Sequence, residues 1–139
     1  MSKTVEPSGP KNARIAIVGM APARDEIATG IPFMGPSGQI LNKALAANGL
    51  SRRDVWVGNV HDGFLAPGTS LFSLPTNVLH NSISRLRREL QAVRPNVVMP
   101  LGDEPLQIIC GLSGITKWRG SILEAKSDFI PGLKCVPSI

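Results

Sequence analysis

Apolar residues fall in two rhythms along this chain. Ile15-Ala16-Ile17-Val18, Val55-Trp56-Val57-Gly58-Asn59-Val60 and Asn96-Val97-Val98-Met99-Pro100-Leu101-Gly102 are near-continuous apolar runs, the pattern of parallel strands covered on both faces. Ser121-Ile122-Leu123-Glu124 and the stretch from Leu133 to Ile139 predict two further short strands. Leu79, Ile83, Leu86, Leu90 and Val93 instead recur at helical spacing behind a Pro75-Thr76-Asn77 start. A second helix opens at Ser37-Gly38 and runs to about Asn48. It turns Ile40, Leu41, Ala44, Leu45 and Ala47 inward and closes on Gly49. Asp103 is expected to cap a short helix with Pro105 in its first turn, ending at Cys110-Gly111. Strands alternating with helices predict an α/β fold with a mostly parallel sheet between helical layers.

The Gly/Pro-rich stretches separate these elements. Gly19-Met20-Ala21-Pro22-Ala23 follows the first strand, and Gly30-Ile31-Pro32-Phe33-Met34-Gly35-Pro36-Ser37-Gly38 leads into the first long helix. Strand, long loop, helix start is where open α/β sheets place ligands, beyond the strands' carboxyl ends. His61 to Pro75 reads as a long loop, and loops of that length are commonly functional or disordered. Ile115 to Gly120 reads as another loop. Arg85, Arg87, Arg88 and Arg94 fall on or near the outer faces of the longest helix, where a solvated basic face is the simplest reading.

Composition narrows the picture. A chain of 139 residues, 42% hydrophobic, is sized for one domain with a real core. We place a flexible lead-in at residues 1–12 and the domain at 13–139. The polar start from Met1 to Lys11 lacks the apolar core of a signal peptide, and no run approaches a membrane span, so a cytoplasmic protein is expected. Cys110 and Cys135 lack metal-ligand spacing and read as buried free thiols, with neither metal nor disulfide expected. A net charge of +5 is compatible with a nucleic-acid partner without establishing one.

Taken in order, these pieces resemble the uracil-DNA glycosylase superfamily, in the bacterial and phage branch with a G-E-x-P-G opening and a P-F-x-G turn. Besides the two loops above, Glu26, Gly49-Leu50-Ser51-Arg52, Val57-Gly58-Asn59-Val60, the stretch Pro95 to Gly102 and Ile115-Thr116-Lys117-Trp118-Arg119-Gly120 carry the resemblance. It implies a three-layer α/β/α sandwich around a mainly parallel, roughly four-stranded sheet. It also implies an enzyme that flips uracil from DNA and cleaves its N-glycosidic bond without a cofactor. By the same resemblance Phe33 is the stacking platform and Asn59 reads the uracil edge, its amide offering donor and acceptor together. Gly19, Ala21 and Pro22 shape a water-binding loop, Met20 stands with them among the substrate-binding positions, and Ser37 and Gly38 offer helix-start amides to a phosphate or polarised oxygen. Lys117 and Arg119 are the candidate DNA contacts.

Three departures from the family pattern stand out. Met20 occupies the place of a water-positioning glutamate and cannot accept a proton; Glu26 and Asp25 are the nearest carboxylates, and Glu26 is the candidate catalytic one. The iron–sulfur branch has four cysteines, whereas this lead-in has none, and Gly63 and roughly Ser82 stand where the later two belong. The family's histidine-proline turn follows the last strand, and Val136-Pro137-Ser138-Ile139 stops one residue before that histidine, so we expect a fragment of a longer polypeptide. His61 and His80 do not stand at that place. Two alternatives remain beside a glycosylase of base-excision repair or phage replication. One is an inactive DNA-binding module of the same fold attached to a DNA polymerase or other replication protein, with Arg52, Arg53, Lys117 and Arg119 on phosphates. The other is a small nucleotide- or metabolite-binding α/β domain.

Overall fold

The computed structural model describes residues 3–138. Strand β1 (Ile15–Gly19) is followed by α1 (Arg24–Thr29) and α2 (Pro36–Ala47); a 3-10 turn (Arg52–Asp54) leads into β2 (Val55–Asn59). A second 3-10 turn (Leu71–Ser73) precedes α3 (Thr76–Val93), and then come β3 (Val97–Pro100), α4 (Asp103–Cys110), α5 (Ile115–Trp118), β4 (Leu123–Glu124) and β5 (Lys134–Cys135). The sheet order is β2-β1-β3-β5-β4, parallel throughout except for the antiparallel β4–β5 pair. The five strands are those the apolar runs predict, one more than the roughly four that the resemblance implies. Ile139, read as part of the last strand, lies outside the described residues.

The continuous apolar runs are explained by two cores, one on each face of the sheet. Ile17, Val55 and Val57 face α2 through Leu41 and Leu45. Ala16, Val18, Trp56 and Val98 face α3 and α4 through Leu86, Leu90, Leu106 and Ile109. Alternate residues of one strand serve opposite layers, so no position can be polar without cost. Among the described residues, no helix is long and apolar enough to cross a membrane.

Several elements differ from the sequence expectation. The loop after β1 contains α1, whose segment RDEIAT has no apolar periodicity to announce it. The stretch from Ile115 to Gly120, expected as a loop, begins with the single helical turn of α5 (Ile115–Trp118). Asp103 does not cap α4, where Gly102 is the N-cap; its carboxylate accepts from the amides of Gly114 and Ile115 at 3.0 and 2.6 Å, starting α5 instead. Ile40, Ala44 and Ala47 of α2 are exposed, Ile40 at 68%, so only part of the expected inward face is buried. The described part of the lead-in, residues 3–12, is docked where fraying was expected: Val5 is buried, Ser8 exchanges backbone hydrogen bonds with Val57, and the Val5 amide donates to the Asp62 carbonyl. The loop from His61 to Pro75 is held by Glu104, which accepts from the Leu71 amide and the Ser70 hydroxyl, and by burial of Leu71.

Candidate functional site

Strands β1 and β2 run in register, so Gly19 and Asn59 finish side by side at the carboxyl edge of the sheet. Strand β3 lies on the other side of β1. The chain leaves β1 toward α2 on one face and reaches β3 from α3 on the other. That divergence opens a crevice above the strand ends. A cavity of about 450 Å³ sits there, reaching from Gly19 and Asn59 past Phe33 to Met99, Leu101 and Ser138. Ile40 and Ala44 line its α2 side, which accounts for apolar side chains on the exposed part of that helix.

Three residues define its inner end. A methyl group on Gly19 would lie 2.4 Å from Cζ of Phe33 and 2.8 Å from Oδ1 of Asn59, so both side chains use space that only glycine leaves free. Phe33 has φ +57°, a left-handed conformation that costs a non-glycine residue about 1–3 kcal/mol. Its carbonyl presses on α2 at Gly38, where a Cβ would fall 1.8 Å from the Phe33 oxygen. Asn59 is only 6% exposed. Its backbone carbonyl accepts from Arg85 at 2.9 Å, while its side-chain amide lines the cavity without a hydrogen-bond partner among the described residues. Its amide atoms open onto the cavity rather than being sealed in the interior: Arg85 Nε is the one fully buried side-chain polar atom without a hydrogen-bond partner among the described residues. Something that enters the cavity is the natural partner of the Asn59 amide.

Glu26 is 7% exposed and lies at the cavity wall. Its carboxylate accepts three backbone amides: Ala23 at 2.8 Å, Met34 at 3.2 Å and Gly35 at 3.1 Å. Burying a carboxylate is tolerable only with such bonds, and here they tie α1 to the Phe33 loop. Met20 and Ala21 line the cavity, whereas Pro22 is packed away in the interior. Ser37 reaches the cavity, and Ser37 and Gly38 occupy the first turn of α2 behind the N-cap Gly35, where free amides point outward. Lys117 and Arg119 are exposed at and just after α5. They do not line the cavity; the adjacent Gly120 amide is tied to Pro137, one residue before cavity-lining Ser138. The Lys117 ammonium lies 5.0 Å from the Trp118 ring centroid.

Two arginines read as surface charge are structural. Arg87 donates to the Phe129 carbonyl at 2.6 Å. One guanidinium nitrogen of Arg85 donates to the carbonyls of both Asn59 and Val60, at 2.9 and 2.7 Å. Asp62 at 3.5 Å and Glu89 at 2.5 Å balance its charge. Burial pushes the Glu89 carboxyl upward, opposed by Arg85. Beside them His61 Nδ1 lies 2.7 Å from the Ser82 hydroxyl. Burial depresses the His61 pKa, Asp62 opposes this, and Arg85 adds to it. Burial also lowers the pKa of Arg52, whose guanidinium turns in toward the Phe33 loop rather than outward to solvent. Sequence reading missed these contacts because an arginine's distant carbonyl partner leaves no local pattern. The positions matching cluster cysteines do not fit an iron–sulfur group: Gly63 has no side chain, and the Ser82 hydroxyl is committed to His61. Cys110 and Cys135 are buried and free.

The family model described as the uracil DNA glycosylase superfamily matches residues 6–137. The type-4 uracil-DNA glycosylase of Archaeoglobus fulgidus is 36% identical over 123 residues, covering 85% of this chain and 60% of that protein. The corresponding protein of Thermotoga maritima is 29% identical over 133 residues, 94% of this chain and 65% of its own length. The chain therefore spans a little under two thirds of these relatives. A DNA polymerase of Bacillus phage SP01 is 28% identical over 139 residues, which cover 99% of this chain but 14% of the polymerase.

Proposed function

From the premise that this chain belongs to the uracil DNA glycosylase superfamily, we propose that its cavity takes a uracil flipped out of DNA and that the domain hydrolyses the N-glycosidic bond. The observation that carries this reading is the Asn59 amide, which lines the cavity without a hydrogen-bond partner among the described residues and meets the Phe33 ring at Gly19. A planar base stacked on Phe33 meets one donor and one acceptor from Asn59, the pattern a uracil edge requires. Cytosine reverses part of that pattern, so the same amide discriminates between them.

Bond breaking places the C1′–N1 electron pair on uracil and positive charge on the sugar; water then adds to C1′, and the proton it releases balances the negative charge on the departed uracil. Stabilising the departing base by fixed donors is the main source of rate. Asn59 is the donor to the uracil oxygen, and the first-turn amides of Ser37 and Gly38 favour negative charge nearby. Met20 supplies no proton acceptor, and the Glu26 carboxylate is engaged by three amides. Water is thus held by the Gly19–Ala23 backbone, and Glu26 acts by keeping the loop in place. Lys117 and Arg119 are suited to phosphates beside the cavity.

A glycosylase assay tests this. With an oligonucleotide containing one uracil and a thymine control, alkali-labile sites are expected at uracil alone. A second reading is favoured by Met20: a base-binding module, joined to a replication protein, that performs no chemistry. Uracil-selective binding without alkali-labile sites would select it.

A further inference from the structure

Arg52 is a half-buried guanidinium with no carboxylate within ion-pair distance among the described residues. It stands in the 3-10 turn directly before β2, the strand that ends in Asn59. Its donors go to the carbonyl of Pro32, to the carbonyl of Phe33 at 3.2 Å and to Oδ1 of Asn42 at 3.4 Å. From the opposite direction Glu26 accepts the amides of Met34 and Gly35. The peptide group between Phe33 and Met34 is therefore gripped at both ends, its oxygen by a cation and its N–H by an anion.

That grip bears on a residue in an unfavourable conformation. Phe33 has φ +57°, and relaxing it toward the common regions requires that peptide plane to swing. Swinging it breaks a charge-assisted bond at each end, the stronger class of hydrogen bond. With the plane fixed, the Phe33 ring lies over Gly19, next to Asn59 Oδ1.

We propose that Arg52 is a positioning residue for base stacking, holding the Phe33 platform at a set distance from the Asn59 reader. This rests on the reading of Phe33 and Asn59 as the base-binding pair. It also reassigns Arg52 from the phosphate contact that its charge alone suggests. Phosphate contacts give salt-dependent affinity that is indifferent to the base, whereas a platform support affects only binding that uses the platform.

The test compares wild type, Arg52→Met, Arg52→Lys, Phe33→Ala and the Arg52→Met/Phe33→Ala pair. Each binds single-stranded oligonucleotides carrying one uracil or a thymine in its place, at several salt concentrations and well below its own Tm. Arg52→Met is expected to weaken uracil binding about tenfold while leaving thymine binding and the salt slope unchanged. Arg52→Lys should recover part of the loss, and the double variant should bind no worse than Phe33→Ala, as for two residues acting through one contact. Equal losses for uracil and thymine with a shallower salt slope would return Arg52 to the phosphates and overturn the proposal. Additive losses, or unchanged uracil binding, would overturn it as well. If wild type itself shows no preference for uracil, the base-binding reading fails. The positioning role is then decided on the ligand-free protein by the aromatic NMR signals of Phe33. Shifted, broadened signals in Arg52→Met uphold it, and unchanged signals sink it.

Discussion

Gly19 shows how much a single position decides. The atoms that an added methyl would meet are the tips of two side chains, Phe33 Cζ and Asn59 Oδ1. Side-chain tips can move aside at little cost to the fold, but moving them dismantles the pocket. Gly19→Ala is therefore expected to keep Tm within a few degrees of wild type, since displaced tips cost about 1 kcal/mol or less. It should lose uracil-selective binding while retaining binding to DNA of any sequence. Thermal melts and paired uracil and thymine titrations check both halves; retained uracil preference would mean that the two side chains do not meet a base there. The contrast is Gly38, where the colliding atom is the Phe33 carbonyl and the fold itself must give way. Phe33, Asn59 and Gly19 were singled out in the sequence by their loop setting and by the family resemblance, and the fold brings the three together at the strand ends. Glu26 was legible as a residue of interest but not as a backbone anchor, since its amide partners lie up to nine positions away.

At the scale of elements, the buried strands and α3 announced themselves through continuous or helically spaced apolar residues. α1 and α5 did not. A six-residue polar helix and a four-residue turn owe their shape to Glu26 and Asp103, not to periodicity. The same applies to the connection between β2 and α3. Glu104, on α4, accepts from Ser70 and Leu71 across more than thirty residues and holds that connection against the helical layer. Glu104→Ala should raise amide exchange and proteolytic nicking across residues 62–74 while β1 and β3 stay protected. Local opening of this kind needs only the loss of the anchoring bonds. Exchange rates that rise equally across the sheet would show instead that Glu104 supports the whole fold.

For the whole molecule, the balance of charge enters through His61. Burial holds its pKa below the ordinary 6.5, with Arg85 reinforcing and Asp62 opposing. A histidine depressed in the folded state binds fewer protons there than in the unfolded chain. Its contribution is fully present above 6.5 and is lost as pH falls from there through the folded pKa. Denaturant midpoints should accordingly drop as pH is lowered from 7 toward 5, and His61→Gln should flatten that slope. An equal slope in the variant would assign the acid sensitivity to other groups. The fold could be anticipated at this scale because parallel sheets impose their pattern on sequence. The match to 14% of a phage polymerase is a similarity to one part of a much longer chain.

The chain has no tyrosine and two tryptophans. Trp56 is 3% exposed within the sheet, while Trp118 lies in α5 with the Lys117 ammonium over its ring and Arg119 next in sequence. Ultraviolet emission from this protein therefore comes from two dyes in contrasting surroundings. Trp56, shielded from dissolved quenchers, reports on the sheet core. Trp118, half-buried beside a cation, reports on the turn that carries the basic residues. Following the two by quencher accessibility separates loss of the fold from an event confined to that turn, without attaching a label.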